Sequence, residues 1–350
     1  MKKAKIDNYV DYIVKNAVEL LSVDSPTGYT DNAASLLMEK LSELGYKPEK
    51  TVKGGVLVKL SDGKNPASGG IMFNAHIDTL GVMVSKIKDN GRLEVTPLGG
   101  MNANNAEAEN VRIVTRFSGE FEGTCQIEDA SVHVNPKYDE TKREWANMEI
   151  VIDEDVKSKD DVLKLGISVG DIVCFDPRTR VTSSGYIKSR FLDDKLSAAI
   201  LTGFAKYLRD EQRDTEADIW VHFTVFEEVG HGASATVPAG VTHIISVDMG
   251  CIGEGLSCTE RQVSICAKDS GGPYAYDVVK SLIEAALRAG ADYAVDVYPR
   301  YGSDVEAALG AGYDIKHGLI GPGVYASHGY ERSHKAGVEN TLRLLLSYAI

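Results

Sequence analysis

A chain of 350 residues, 43% apolar and 25% charged, has an ordinary globular composition and room for one large domain plus a smaller one. Its formal net charge of −13 argues against nucleic acid as a partner, and no apolar run approaches the roughly 20 residues of a membrane-spanning helix. Its five cysteines include no C-x-x-C pair, and the basic start leads into an amphipathic segment rather than an apolar signal core, so a reducing cytoplasm is expected.

Ile6, Val10, Ile13, Val14, Ala17 and Leu21 recur at helical spacing, which predicts a first amphipathic helix broken by Ser25-Pro26-Thr27-Gly28. A second helix is predicted from about Asp31 to Leu44, with Gly45 as its stop. Ile71 to Ala75 reads as a buried strand ending in His76-Ile77-Asp78. Residues i and i+2 of a strand share a side, so His76 and Asp78 can face one point.

From about Val84 to Asp176 the character changes. Turn signals such as Asp89-Asn90-Gly91 and Val169-Gly170-Asp171 separate short alternating runs, and no long helix is evident. Residues 84–176 therefore read as a small β-rich, barrel-like insertion in a catalytic domain made of 1–83 and 177–350. Pro136 to Trp145 is charged and reads as an exposed or mobile loop.

After the insertion, Asp193-Asp194 precede a helix predicted over Leu196 to Arg209. The apolar run Ile219 to Phe226 ends in Glu227-Glu228, and the run Ile244 to Val247 ends in Asp248. A helix is predicted over Asp277 to Arg288, closed near Gly290, and Ser303-x-x-Glu306 is a capping-box pattern. His328 follows the loop Gly321-Pro322-Gly323, and Asn340 to Tyr348 is amphipathic. Helices alternating with buried strands imply an α/β fold: a mixed, mostly parallel sheet with helices on both faces. Ligands bind such sheets outside the carboxyl ends of the strands, where these polar residues fall. Two adjacent carboxylates there raise each other's pKa and ask for a metal, a shared proton, or both. The histidines, aspartates and glutamates form an N/O donor set that suits Zn, Co or Mn, and two ions more readily than one.

Taken in order, Ala75-His76-Ile77-Asp78, Leu192-Asp193-Asp194-Lys195, Glu227-Glu228-Val229-Gly230, Val247-Asp248 and Ser327-His328 resemble the M42 metallo-aminopeptidases, the tetrahedral aminopeptidases that include glutamyl and deblocking enzymes. The resemblance implies a zinc-peptidase-like fold and a di-metal aminopeptidase acting on short peptides. His76 would bind one ion and His328 the other. Asp193 would bridge them, with Glu228 and Asp248 completing the set, one on each ion. Glu227 would be the general base that deprotonates the metal-held water, and Asp78 would orient His76. It further implies that the insertion mediates assembly into dimers and a dodecameric shell. The M20 peptidases use a similar ligand order but carry their extra domain later. Here 117 residues separate His76 from Asp193, and only 80 separate Asp248 from His328, which favours M42.

Other polar residues have plainer readings. His222 within a buried strand reads as a core histidine, Asp194 as a local hydrogen-bond partner, and His231 as structural or supporting. His334 could be a spare ligand or a substrate contact. The loop Arg300 to Asp304 is expected near the pocket without an assigned role. The alternatives to an aminopeptidase are an M20-like deacylase or dipeptidase, a glycosidase using paired carboxylates, and a catalytically silent homologue.

Overall fold

The structure, a computed structural model, describes residues 3–350. The chain folds into two compact units, Met1–Asp78 with Arg178–Ile350, and Thr79–Pro177. These boundaries fall a few residues outside the expected insertion, because the strand Gly81–Ile87 already belongs to the second unit through its pairing of Val82 with Val173.

The first unit is built on a nine-stranded mixed sheet. At its centre the strand Gly70–His76 runs parallel to Asp218–Thr224 on one side and to Val241–Val247 on the other, and Lys316–Val324 continues the parallel set. The flanking strands Val56–Ser61 and Val263–Lys268 join antiparallel. Thr224 pairs with His76, and Ser246 with Asn74, so the carboxyl ends of the three central strands are nearly level. Phe73 faces the helices Leu192–Asp210 and Lys335–Ala349, with its ring 5.6 Å from Phe204 and 6.4 Å from Tyr348. Its neighbour Met72 points the other way, into a cluster with Ile244, Leu319, Val305 and Ala308, the last two on the helix Asp304–Gly310. Both faces of the sheet are therefore apolar and covered, which is why its strands read as continuous hydrophobic runs.

The expected first helix spans Lys3–Leu21, and all six residues of its stripe are buried. It packs on Leu192–Asp210, where a Cβ added to Gly203 would lie 2.2 Å from Ile13, so the two backbones approach closely only because residue 203 is glycine. The second helix is Asp31–Glu43, followed by Gly45 at φ +83°. The helix expected from Asp277 spans Tyr276–Ala289 and stops at left-handed Gly290.

Half of the capping box expected at Ser303 forms. The Glu306 carboxylate accepts from the Ser303 N–H, and also from Gly271, while the Ser303 hydroxyl makes no capping bond and lies 3.0 Å from the Tyr274 hydroxyl.

The second unit is a closed six-stranded antiparallel barrel. It also holds a short helix, Lys159–Leu165, which was not expected; its signals are the Ser158 cap, which accepts from the Asp161 N–H, and left-handed Gly166. The charged segment at 136–145 is largely exposed but tied down. Arg143 donates to both Glu107 oxygens at 2.7 and 3.0 Å, Tyr138 donates to Glu107 at 3.0 Å, and the Trp145 indole donates to the Met101 carbonyl at 2.9 Å.

Candidate metal centre

The polar strand ends converge within the first unit. His76 is the last residue of its strand, Glu227 and Glu228 follow the strand Asp218–Thr224 after a tight bend, and Asp248 follows Val241–Val247. Asp193 stands in the irregular first turn of Leu192–Asp210, where Asp193 and Asp194 depart from helical geometry. Phe191, Phe226 and His328 all have φ between 61° and 67°. Side chains with a Cβ rarely adopt this region, and such strain gathers where the surrounding structure must aim particular residues.

The ligand atoms of His76, Asp193 and Asp248 lie within 4.8 Å of one another, and so do those of Asp193, Glu228 and His328. Asp193 is common to both groups. Its Oδ1 is 3.0 Å from His76 Nε2, and its Oδ2 is 3.5 Å from His328 Nε2. His328 Nε2 is 3.7 Å from Glu228. Glu227 belongs to neither group but lies beside the first, with Oε2 3.7 Å from His76 Nε2. Asp248 is anchored through its backbone: its N–H donates to the Ile320 carbonyl, and a Cβ on Gly321 would fall 1.5 Å from its carbonyl oxygen.

His76 Nδ1 donates to the Asp78 carbonyl oxygen at 2.9 Å, which orients the ring with Nε2 toward Asp193. The Asp78 carboxylate, expected to orient His76, stands 3.7 Å from that nitrogen. It instead accepts from the Thr27 hydroxyl at 2.7 Å and from the Glu227 N–H at 3.2 Å, so its side chain holds the backbone of Glu227.

Four more groups support the constellation. Asp194 accepts from the His76 N–H at 3.2 Å. Asp304 takes the Thr224 hydroxyl and the Ala233 N–H, which pins the loop after the glutamate pair. Lys53 donates to the carbonyls of His231 and Gly232 and to Ser234 in the same loop. Glu331 accepts from the backbone of both Asp193 and His328. Sequence reasoning assigned none of Thr27, Lys53, Asp304 or Glu331 a role, because each acts on backbone or on a partner distant in sequence.

The remaining histidines separate. His231 stacks on Phe226, 5.4 Å between rings, and lines the cleft. His334 caps the helix Lys335–Ala349 by accepting from the Ala336 N–H, and its other nitrogen donates to the Ser184 carbonyl. His222 is buried in its strand and pushed down to about 4 by burial.

Electrostatics test whether cations fit. Burial, and then Asp193, push Glu228 up to about 8 and Asp248 to about 7. Glu227 is raised well above the carboxylate range by burial, with Asp248, Asp304 and Glu228 adding to the effect. Burial would also raise Asp193, but hydrogen bonds to His328 and His76 hold it below its usual value. Buried Glu228 Oε1 has no hydrogen-bond partner among the described residues. A crowd of buried carboxylates with one buried and one half-exposed imidazole and an orphaned oxygen is a donor set that divalent cations satisfy. The site opens into a cleft of about 930 Å³, whose walls include His231, Arg300, Tyr301 and Glu306.

Known proteins show the same arrangement of chain. The sequence is 42% identical over 332 residues to “Putative aminopeptidase YhfE” of Bacillus subtilis (strain 168), covering 94% of this chain and 95% of that protein. The fold matches a solved structure of the Pyrococcus horikoshii TET1 peptidase, which can assemble into a tetrahedron or a large octahedral shell (TM-score 0.85, 22% identity, 97% and 99% of the two chains). It also matches the aminopeptidase APDkam598 from Desulfurococcus kamchatkensis (TM-score 0.85, 23% identity, 98% and 95%). Residues 54–344 fit the family described as M42 glutamyl aminopeptidase. The chain is thus a member of the M42 family, metal-dependent aminopeptidases that hydrolyse peptide bonds.

Proposed function

We propose that this aminopeptidase works with two divalent ions, one held by His76, Asp193 and Asp248 and the other by Asp193, Glu228 and His328. The observation that carries this reading is the pair of ligand groups sharing Asp193. The nitrogen and oxygen donors suit Zn or Co, with Mn also compatible. When bound, the ions supply Lewis acidity and lower the pKa of water.

The chain's own residues do the rest. Glu227 stands beside the ligand groups without belonging to them, so its carboxylate is free to cycle a proton. It takes the proton from the attacking water and returns it to the leaving amine. Asp78 and Thr27 hold Glu227 at the depth where that transfer occurs. The cleft admits the N-terminal residue of a short peptide, and His231, Arg300, Tyr301 and Glu306 meet its side chain. The barrel unit serves assembly of this chain into a homo-oligomer, by analogy with the shells of the TET1 peptidase.

A chelator should abolish hydrolysis of aminoacyl-anilides, and added Co or Zn should restore it. Full activity in chelator would sink the metal-dependent reading. A panel of N-terminal residue types in the same assay identifies the preferred substrate.

A further inference from the structure

We infer that Glu331 is a positioning residue that sets the spacing between Asp193 and His328, and so governs occupancy of the second ion site more than the first. The inference rests on the two-ion reading above. Glu331 begins the strand Glu331–His334 and pairs with Ser189 of the strand Tyr186–Ser189, so its backbone is fixed by a ladder. Its side chain is buried, at 2% exposure. The two carboxylate oxygens divide their work: Oε2 accepts from the Asp193 N–H at 3.0 Å, and Oε1 accepts from the His328 N–H at 2.9 Å. One rigid group thus holds the main chain of two ligands 135 residues apart in sequence.

Both ligands need such a hold. Asp193 lies in a non-helical turn, where its N–H has no helical partner to donate to, and His328 has left-handed backbone in the loop before the strand. The His328 side chain is 38% exposed, whereas that of His76 is 1% exposed and is fixed by both its strand and the Asp78 carbonyl. The first ligand group uses only one of the two residues that Glu331 holds, Asp193. The second group uses both, so an error in their spacing falls chiefly on the His328 side.

Glu331→Gln keeps the size of the side chain but leaves one carbonyl oxygen where two oxygens accepted, and turns an amide N–H₂ toward the other backbone N–H. Groups supporting metal ligands typically change affinity by about 10–100-fold when substituted. The test titrates the metal-free full-length chain with Co²⁺, following heat and the visible absorption of bound cobalt. Wild type should take up two ions. Glu331→Gln should bind the first with unchanged affinity and the second about 10–100-fold more weakly, and its one-ion spectrum should match that of His328→Ala. Thermal melting of the metal-free proteins accompanies the titration.

Two wild-type affinities in Glu331→Gln would overturn the inference. Equal weakening of both ions, with a lower melting temperature without metal, would also overturn it, in favour of a general structural role. A single ion in wild type would instead remove the two-ion reading itself, and this inference with it.

Discussion

Replacing Glu227 with Gln tests the division of labour within the glutamate pair. Gln has the same shape and retains the backbone N–H that donates to Asp78, so the bend carrying it should hold. It cannot accept a proton. A positioned general base contributes about 10²–10⁴-fold to rate. At about 1.4 kcal/mol per tenfold, the lost transition-state stabilisation is about 3–5 kcal/mol. Because Glu227 lies outside both ligand groups, ion content should stay at that of wild type. Since burial and three neighbouring carboxylates already disfavour its charge, the neutral side chain should not lower the melting temperature of the metal-free chain. The assay is kcat and KM on an aminoacyl-anilide beside ion content by mass spectrometry. A fall in kcat with little change in KM is expected. Turnover within threefold of wild type would refute the assignment of the base, and loss of an ion would move Glu227 into the ligand set.

Ion binding should release protons. Glu228 is pushed to about 8 and Asp248 to about 7, chiefly by burial, so the metal-free site holds protons near neutral pH that cations must displace. Affinity should therefore rise with pH between about 6 and 8. Over the window from about 4 to 8 the folded metal-free chain binds more protons at these groups than the unfolded chain, so its stability should fall as pH rises. Calorimetry in buffers of different ionisation enthalpy reads the release, and pH-independent affinity would contradict it. Gly321→Ala would drive a methyl into the Asp248 carbonyl. It should cost about 1–3 kcal/mol of stability and weaken the ion on the His76 side. A wild-type melt with full ion content would show that the strands relax without disturbing Asp248.

Much of the fold was legible because it rests on periodicity. The buried runs before His76, Glu227 and Asp248 are mostly apolar on both faces, and parallel pairing then brings their ends level. The second unit was legible as a β-rich, barrel-like insertion, but which strands close it was not, since closure depends on pairings such as Val82 with Val173 across 91 residues. The candidate ligand types and their order could be read, and the resemblance implied Asp193 as the shared residue, but no local pattern announces the irregular turn in which Asp193 stands. Asp78 does more than strand geometry announces. Its carbonyl accepts from His76 Nδ1 and its carboxylate stands 3.7 Å from the same nitrogen, but that carboxylate also accepts from Thr27 and Glu227. Ser303 and Glu306 carried a capping pattern of which the Glu306 half forms, while Tyr274 draws the Ser303 hydroxyl away. His334, six residues before the amphipathic stretch at Asn340, caps a helix that starts at Lys335.

Anomalous scattering from crystals grown with Co or Zn tests the central claim most directly. Two separate peaks are expected, one against His76 and Asp248 and one against Glu228 and His328, with Asp193 touching both. A single peak, or peaks that leave Asp193 untouched, would contradict the shared-aspartate centre.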